Sequence, residues 1–363
     1  MPWSWKRSTV EKRLVVSWSG GTLAYVLACG NTVEGYTILG SAVKRNCAVD
    51  LKELVSELKA SNLDGLNASF VLYPSQYQLL QIESPVVPAD ELRAAVRYQI
   101  RDMLDISIED VRLDLMQVGN GQQKAAAQLF VVATPTAVIR NVLTLCEAMR
   151  WKASVIDIHE MAQRNLQTAL AVRDNNTAQA CPALIWVNRS QAILTISADG
   201  ELFNTRRFDF SQESSAGFWD VNTDLSIAKD SLGRSELIDY ELGYSESGAL
   251  PKSQNDIMSE YITPLTPIDN IWNNDQLQRF LMELRRSFDL WERIWPNMPL
   301  SPLLLHAGHK SEDLAAWLAP RLERKLQLVD TKLIFPDFKV HASDEEICLP
   351  LLGLLLRNEN RVP

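Results

Sequence analysis

Apolar positions recur at two distinct periods along the chain, and the switches between them mark out its elements. Residues 13–28 (RLVVSWSGGTLAYVLA) place two apolar runs about a Gly-Gly pair, the pattern of a β-hairpin. A third strand is expected near 35–40. In AVDLKELVSELKA (48–60), Leu51, Leu54, Val55 and Leu58 fall at helical spacing. ASFVLYP (68–74) reads as a buried strand ended by proline. From Pro88 the spacing of Leu92, Val96, Ile100 and Met103 predicts an amphipathic helix whose other face carries Arg93, Arg97, Arg101 and Asp102. VRLDLMQV (111–118) alternates and QLFVVA (128–133) is continuously apolar, predicting a hairpin across the Gly119–Gly121 region. Thr134-Pro135 suggests a helix start, with Thr134 as cap and proline first in the helix. That helix should run to about Arg150, followed by a strand at 153–158 and a helix from about His159.

A polar boundary, DNNTAQA (174–180), separates this half from a second one. The second half also opens with strands, ALIWVN (183–188) and AILTISA (192–198), then a turn at Asp199-Gly200 and the run ELFNTRRFDF. After a long polar stretch, Leu277, Leu281, Leu284, Phe288, Trp291 and Trp295 form one stripe that ends at Pro296. It covers fewer than three heptads, so a helix docked on a core is expected rather than a coiled coil. SPLLLHAG (301–308) predicts a strand entering a loop. A helix containing Leu314, Trp317, Leu318 and Leu322 follows, and a last helix spans about Asp344 to Arg357. Two α/β halves, each opening with a hairpin, predict a two-lobed α/β protein.

Charge adds one feature to this outline. The chain of 363 residues carries a net charge of −9. Ten acidic against three basic residues between Ser211 and Glu260 supply seven of those negative charges. Residues 211–273 are therefore expected to be an exposed acidic insertion, either a solvated loop or a docking surface for a basic partner. No clustered basic surface is evident for nucleic-acid phosphates. Five scattered cysteines without CxxC spacing fit reduced thiols in a cytoplasmic protein. The N-terminus has no apolar run behind its charges, and the longest apolar stretch, Ile347–Leu356, is too short to span a bilayer. A soluble protein is expected. Trp3 and Trp5 beside Lys6 and Arg7 suit either a lipid headgroup region or a frayed terminus.

Residues 85–170 carry a resemblance to one family. PVVPADELRAAVRYQIRDMLDISIEDVRLDL, the strand and helix after it, and VIDIHEMAQRNL resemble the PilM-like, actin-fold assembly proteins of type IV pili, nearest the MSHA-pilus branch. LPLLGLLLR (349–357) resembles the closing helix of that fold. The resemblance implies a two-lobed FtsA/PilM-like fold with ribonuclease H-like halves and a small α+β (SHS2-like) subdomain inserted in the first lobe. On that basis the first lobe comprises 10–84, 154–175 and 340–363, the inserted subdomain 85–153, and the second lobe 180–339.

The same resemblance locates three loops that hold nucleotide elsewhere in the fold, and all three are altered here. The first, a DIGS-type hairpin whose aspartate helps position a metal ion and water, corresponds to Ser17, Trp18, Ser19 and Gly20, with Gly21 completing the turn. The second, usually Asp-Ile/Leu-Gly, corresponds to Trp186, Val187 and Asn188, with Ser190 following. The third, glycine-rich near adenosine, corresponds to His306, Ala307, Gly308 and His309, where one glycine is left. Loss of the carboxylates and small residues implies that ATP hydrolysis is absent and that no cofactor is needed; a working Mg-ATP-binding ATPase is the alternative. The implied partner is a PilN-like bitopic inner-membrane protein whose cytoplasmic tail lies between the first lobe and the inserted subdomain. Arg93, Arg97, Tyr98 and Arg101 are the candidate contacts, or else the arginines simply solvate their helix. Other assembly-platform proteins would join it at the cytoplasmic face of the inner membrane, with membrane association through partners. No metal site is expected: His306 and His309 lack further ligands at local spacing. Asp157, His159 and Glu160 are expected to cap and pack rather than carry acid–base chemistry. GxSxG, P-loop and GxGxxG motifs are absent.

Overall fold

The computed structural model describes residues 12–31, 35–45, 51–119, 127–211, 219, 275–341 and 344–357. The acidic insertion (apart from Ser211 and Trp219), Trp3 and Trp5, and the Gly121 end of the predicted hairpin turn lie outside these residues.

The first sheet is built from β1 (Lys12–Ser19), β2 (Thr22–Asn31), β3 (Gly35–Lys44), β4 (Asn67–Leu72) and β8 (Lys152–Ile158), ordered β3-β2-β1-β4-β8. β1, β2 and β3 form an antiparallel meander, while β4 and β8 join in parallel beyond β1. The second sheet contains β9 (Cys181–Asn188), β10 (Gln191–Ala198), β11 (Glu201–Asp209), β12 (Leu303–His306) and β13 (Leu326–Leu328). Its order, β11-β10-β9-β12-β13, repeats the first, strand directions included. The chain has thus built the same half twice, although β13 is too short to carry a periodic sequence signal.

Helices α1 (Leu51–Ala60) and α3 (Thr136–Met149) pack together beside the first sheet, and their Leu54, Leu58, Leu145 and Met149 share a core with Leu14, Val16 and Phe70. The α3 helix begins one residue later than its sequence suggests. Thr134 and Pro135 complete β7, and Pro135 occupies the cap position without a side-chain hydrogen bond. Ring closure gives Pro135 its φ of −54° as readily at a strand end as in a helix.

The α4 helix (His159–Arg173) and α7 (Glu345–Leu355) lie between the sheets and cross closely. Residue 353 must be glycine there, because a Cβ would sit 2.2 Å from the Ala162 carbonyl oxygen. The two helices exchange sheets: α7 packs on β1 and β2 of the first, and α4 packs on β9, β10 and β11 of the second. Burial on several sides explains the polar residues inside α4. Gln163 donates to the Ala183 carbonyl at 2.7 Å, and Asn165 donates to that of Gly353 at 3.1 Å. Thr195 donates to the Gln167 side chain at 2.8 Å. Each amide satisfies a backbone or side-chain partner that water cannot reach.

A third sheet, β5-β7-β6, comprises β5 (Gln78–Glu83), β6 (Val111–Gln117) and β7 (Gln128–Pro135). It corrects the expected boundary at residue 85, since β5 pairs along β7 from Gln78 to Glu83 and so belongs to the small sheet. The α2 helix (Ala89–Gln99) covers one face of this sheet, burying Val96 and Ile100 against Ile82, Leu129 and Val131. Met103 is about half exposed rather than on the buried stripe, because α2 ends before it and the chain tightens into a 3₁₀ turn. The other face, through Phe130 and Val132, joins the core of the first lobe.

In the second half, α5 (Asp275–Ile294) buries Leu284, Phe288 and Trp291, and α6 (Ser311–Leu322) buries Leu314, Trp317 and Leu318. Trp291 and Trp295 stack against Phe203 of β11 with centroids 5.7 and 5.0 Å away. Chain contacts also delimit a second compact unit, Phe210–Glu283. Among its described residues, Phe210 packs edge-on to Phe280 and Ser211 bonds Gln276. No helix among the described residues is long and apolar enough to cross a membrane.

Candidate functional site

The three loops identified from sequence lie at the ends of β1, β9 and β12. In the first, Gly20 and Gly21 have φ of +54° and +78°, as a two-residue hairpin turn between right-handed strands requires. Ser19 pairs with Thr22 to close it. The glycines therefore serve the turn itself. Ser17 is buried and follows Val15 on the sheet face that packs against α7.

Leading into the second loop, Ala183 and Ile185 face α4 in a core with Leu166, so strand alternation puts Trp186 on the opposite face, where it is 2% exposed. Val187, also buried, sits where the register between β9 and β10 shifts, between the Trp186–Ala192 and Asn188–Gln191 pairs. Asn188 forms the turn: its Oδ1 accepts from the backbone N–H of Ser190 at 2.8 Å and from the Ser190 hydroxyl at 2.9 Å. Its Nδ2 donates across to the Tyr73 hydroxyl of the first half at 3.0 Å.

In the third loop, His306 ends β12 with 3% exposure, and burial pushes its pKa down to about 4. It is a core residue at the end of the strand, whereas His309 is exposed. Gly308 has φ +53°, and a Cβ there would meet the Glu346 carboxylate at 3.4 Å. Glu346, in the first turn of α7, is raised to about 7 by burial, a rise that nearby Arg189 and Arg45 oppose. The groups near Gly308 therefore include an acid, which would repel an anionic phosphate when ionised.

Sequence reasoning missed the residues that bind these parts together. Arg207 on β11 donates through Nε to Glu160 at 2.9 Å and through Nη1 to the Pro74 carbonyl at 3.1 Å. Its guanidinium lies 4.5 Å from the centroid of the Tyr77 ring. The Tyr77 hydroxyl donates to the second oxygen of Glu160, which is fully buried. Burial foremost, then the Glu160 charge, raises the Tyr77 phenol well above its usual range. His159, edge-on to Tyr73 at 5.5 Å, is held neutral with its pKa down to about 3, first by burial and then by Arg207. Asp157 accepts the Ile158 N–H at 2.9 Å and pairs with Arg357. No side chain caps α4, so packing and ion pairing, rather than capping, account for this acid–histidine–acid run.

The small subdomain presents a different surface. A groove of about 640 Å³ opens between α2, the start of β6 and the start of α3, lined by Arg97, Arg112 and Arg140, by the acids Glu109 and Asp110, and by apolar groups such as Ile106. Of the four candidate partner residues, Arg97 alone lines it. Arg97 donates to the Ile108 carbonyl at 2.6 Å and pairs with Glu109 at 3.2 Å. Arg93 instead ties α2 to β6 through the Leu113 carbonyl and Asp114, and Arg101 pairs with adjacent Asp102. Tyr98 is 81% exposed. Arg112 and Arg140, absent from the sequence reading, are exposed, and their guanidinium groups meet no ion-pair or hydrogen-bond partner among the described residues. The uncapped first turn of α3 adds partial positive charge beside them. Among the described residues no group of three or more His, Cys, Asp or Glu is placed to hold a metal ion.

This repeated-sheet topology with an inserted subdomain is the two-lobed actin-like fold. Among solved structures, a PilM-PilN type IV pilus biogenesis complex is similar at 18% identity and TM-score 0.63, covering 95% of this chain and 97% of that one. A Bacteroides thetaiotaomicron protein with an actin-like ATPase fold and unknown function aligns at 8% identity and TM-score 0.47, covering 96% and 97%. The cytoplasmic domain of EpsL, an inner-membrane component of the Vibrio cholerae type II secretion system, aligns at 15% and 0.39, covering 59% and 76%. Neither a family model nor a curated protein matches the chain.

Proposed function

We propose that this chain is a non-enzymatic cytoplasmic scaffold in the inner-membrane assembly platform of a type IV pilus, of the MSHA (MshI-like) branch. On this reading it binds the cytoplasmic tail of a PilN-like bitopic membrane protein and reaches the membrane through that partner. Likeness in fold to the PilM-PilN complex over nearly the whole chain supports the assignment to pilus assembly. One observation carries the non-enzymatic part: around the three loops stand Ser17, Trp186 and the Tyr73–Asn188 contact, with Glu346 beside Gly308. Triphosphate chemistry in this fold needs a metal-positioning carboxylate and open backbone amides at those places.

The tail would lie in the groove beside Arg97, Arg112 and Arg140, as an extended segment anchored by apolar side chains with a carboxylate facing the arginines. A binding titration with a synthetic PilN-like tail tests this against charge reversals at Arg97, Arg112 and Arg140. Weakened binding is expected, and unchanged binding rejects the groove. The competing reading, a working actin-like ATPase, draws on the fold itself and requires saturable Mg-ATP binding.

A further inference from the structure

We propose that side chains of the protein itself, centred on Arg207, hold the two lobes in one fixed arrangement, the role a bound ligand would otherwise fill. The inference rests on the reading of the interlobe cleft as free of nucleotide chemistry and goes further, to what the cleft does instead.

Among the described residues, the α4 amides Gln163 and Gln167 bond β9 and β10, and three further struts cross between the halves. The first is Arg207, the only ionic link among them. From the outermost strand of the second sheet it reaches three groups of the first half: the Glu160 carboxylate, the Pro74 carbonyl and the face of Tyr77. Glu160 has no exposure, and its second oxygen is taken by the Tyr77 hydroxyl, which in turn accepts the His159 backbone N–H at 3.2 Å. The second strut is Asn188 donating to Tyr73 at 3.0 Å. The third joins the end of the small sheet to β11, where the Gly119 N–H donates to the Leu202 carbonyl at 3.0 Å. Gly119 has no Cβ to spare, because one would stand 2.5 Å from the Phe203 ring.

All three struts land on the β9–β10–β11 meander; the first two meet the Tyr73–Tyr77 stretch of the first half, the first also reaches Glu160, and the third comes from Gly119. A rotation of one lobe on the other would break them together. The strength of the ion pair is not the main point, since rehydration of separated charges offsets much of the lost attraction. Its geometry is the point. A planar guanidinium bound to a carboxylate, a carbonyl and a ring face at once is satisfied in one relative placement of the lobes. A network matched in one register favours that register, because a shift would leave the fully buried Glu160 carboxylate without its cation.

Pulsed dipolar spectroscopy on the full chain tests the proposal. Spin labels on unnatural amino acids at Lys59 of α1 and Glu312 of α6, both exposed, leave the native cysteines untouched. The intact protein should give one narrow distance, unchanged by Mg-ATP, and Arg207→Met should lose it to a broad distribution. Should that variant not fold, the milder pair Tyr73→Phe with Asn188→Ala removes the second strut and should broaden the distance in the same direction. A broad or two-peaked distance in the intact protein overturns the proposal, as does a narrow one that survives in folded Arg207→Met or in the milder pair. Saturable binding of Mg-ATP with a single unmoved distance would defeat the scaffold reading and leave the bridge standing. Absence of binding with a broad distance would defeat the bridge alone.

Discussion

The interlobe cleft and the groove of the small subdomain differ in how their charges are spent. In the cleft, Arg207, Glu160, Tyr77, Tyr73 and Asn188 find partners within the chain, and the ionic pair joins a fully buried carboxylate to a half-buried guanidinium. In the groove, Arg112 and Arg140 meet no partner among the described residues, and Ile106 of its lining stands exposed. A buried network completed by its own protein is structure, whereas unpaired guanidinium groups beside exposed apolar side chains suit a partner. This contrast separates the part of the fold that holds the lobes from the part proposed to bind.

Arg207→Met should give the largest effect. It leaves the Glu160 carboxylate buried without its cation, a loss of about 3–5 kcal/mol that chemical denaturation would register. A loss near zero would mean that the cleft is open to water and would remove the contrast. Gly353→Ala at the α4–α7 crossing should cost about 1–3 kcal/mol, because the Ala162 backbone must move to admit a methyl group. Full stability in that variant would show that the helices cross less closely than described here.

A gain is expected from Glu346→Gln. The folded pKa of Glu346 is raised to about 7 from 4.5, so the folded state binds the extra proton between those values and its stability falls as pH rises through the window. Removing the charge should therefore stabilise the protein by roughly 1–2 kcal/mol at pH 8 and hardly at all below about pH 4.5. A pH-independent difference would place that carboxylate in water. The smallest effect on stability belongs to the groove. Arg112→Glu with Arg140→Glu should change folding by no more than about 0.5 kcal/mol. The same pair should weaken tail binding about tenfold or more, equivalent to roughly 1.4 kcal/mol.

The sequence disclosed the repeated halves because each strand of the meanders and each amphipathic helix carries its own period. It misplaced the start of the small subdomain, since QLLQIE (78–83) reads equally well as part of either sheet and only its pairing with β7 decides. It hid the burial of α4, because Gln163, Asn165 and Gln167 look solvent-facing until the carbonyls they bind are in place. The bridge was unreadable for a simpler reason. Arg207 lies 47 residues from Glu160 and 133 from Pro74, and no local pattern links them. Arg112 and Arg140 could be assigned to polar faces of a strand and a helix, but their meeting at one groove needed the fold.

Calorimetric titration of the full chain with Mg-ATP tests the central claim most directly. A cleft spanned by Tyr73–Asn188 and Arg207–Glu160 should give no saturable heat at affinities tighter than about 1 mM. Stoichiometric binding in the micromolar range would contradict the account.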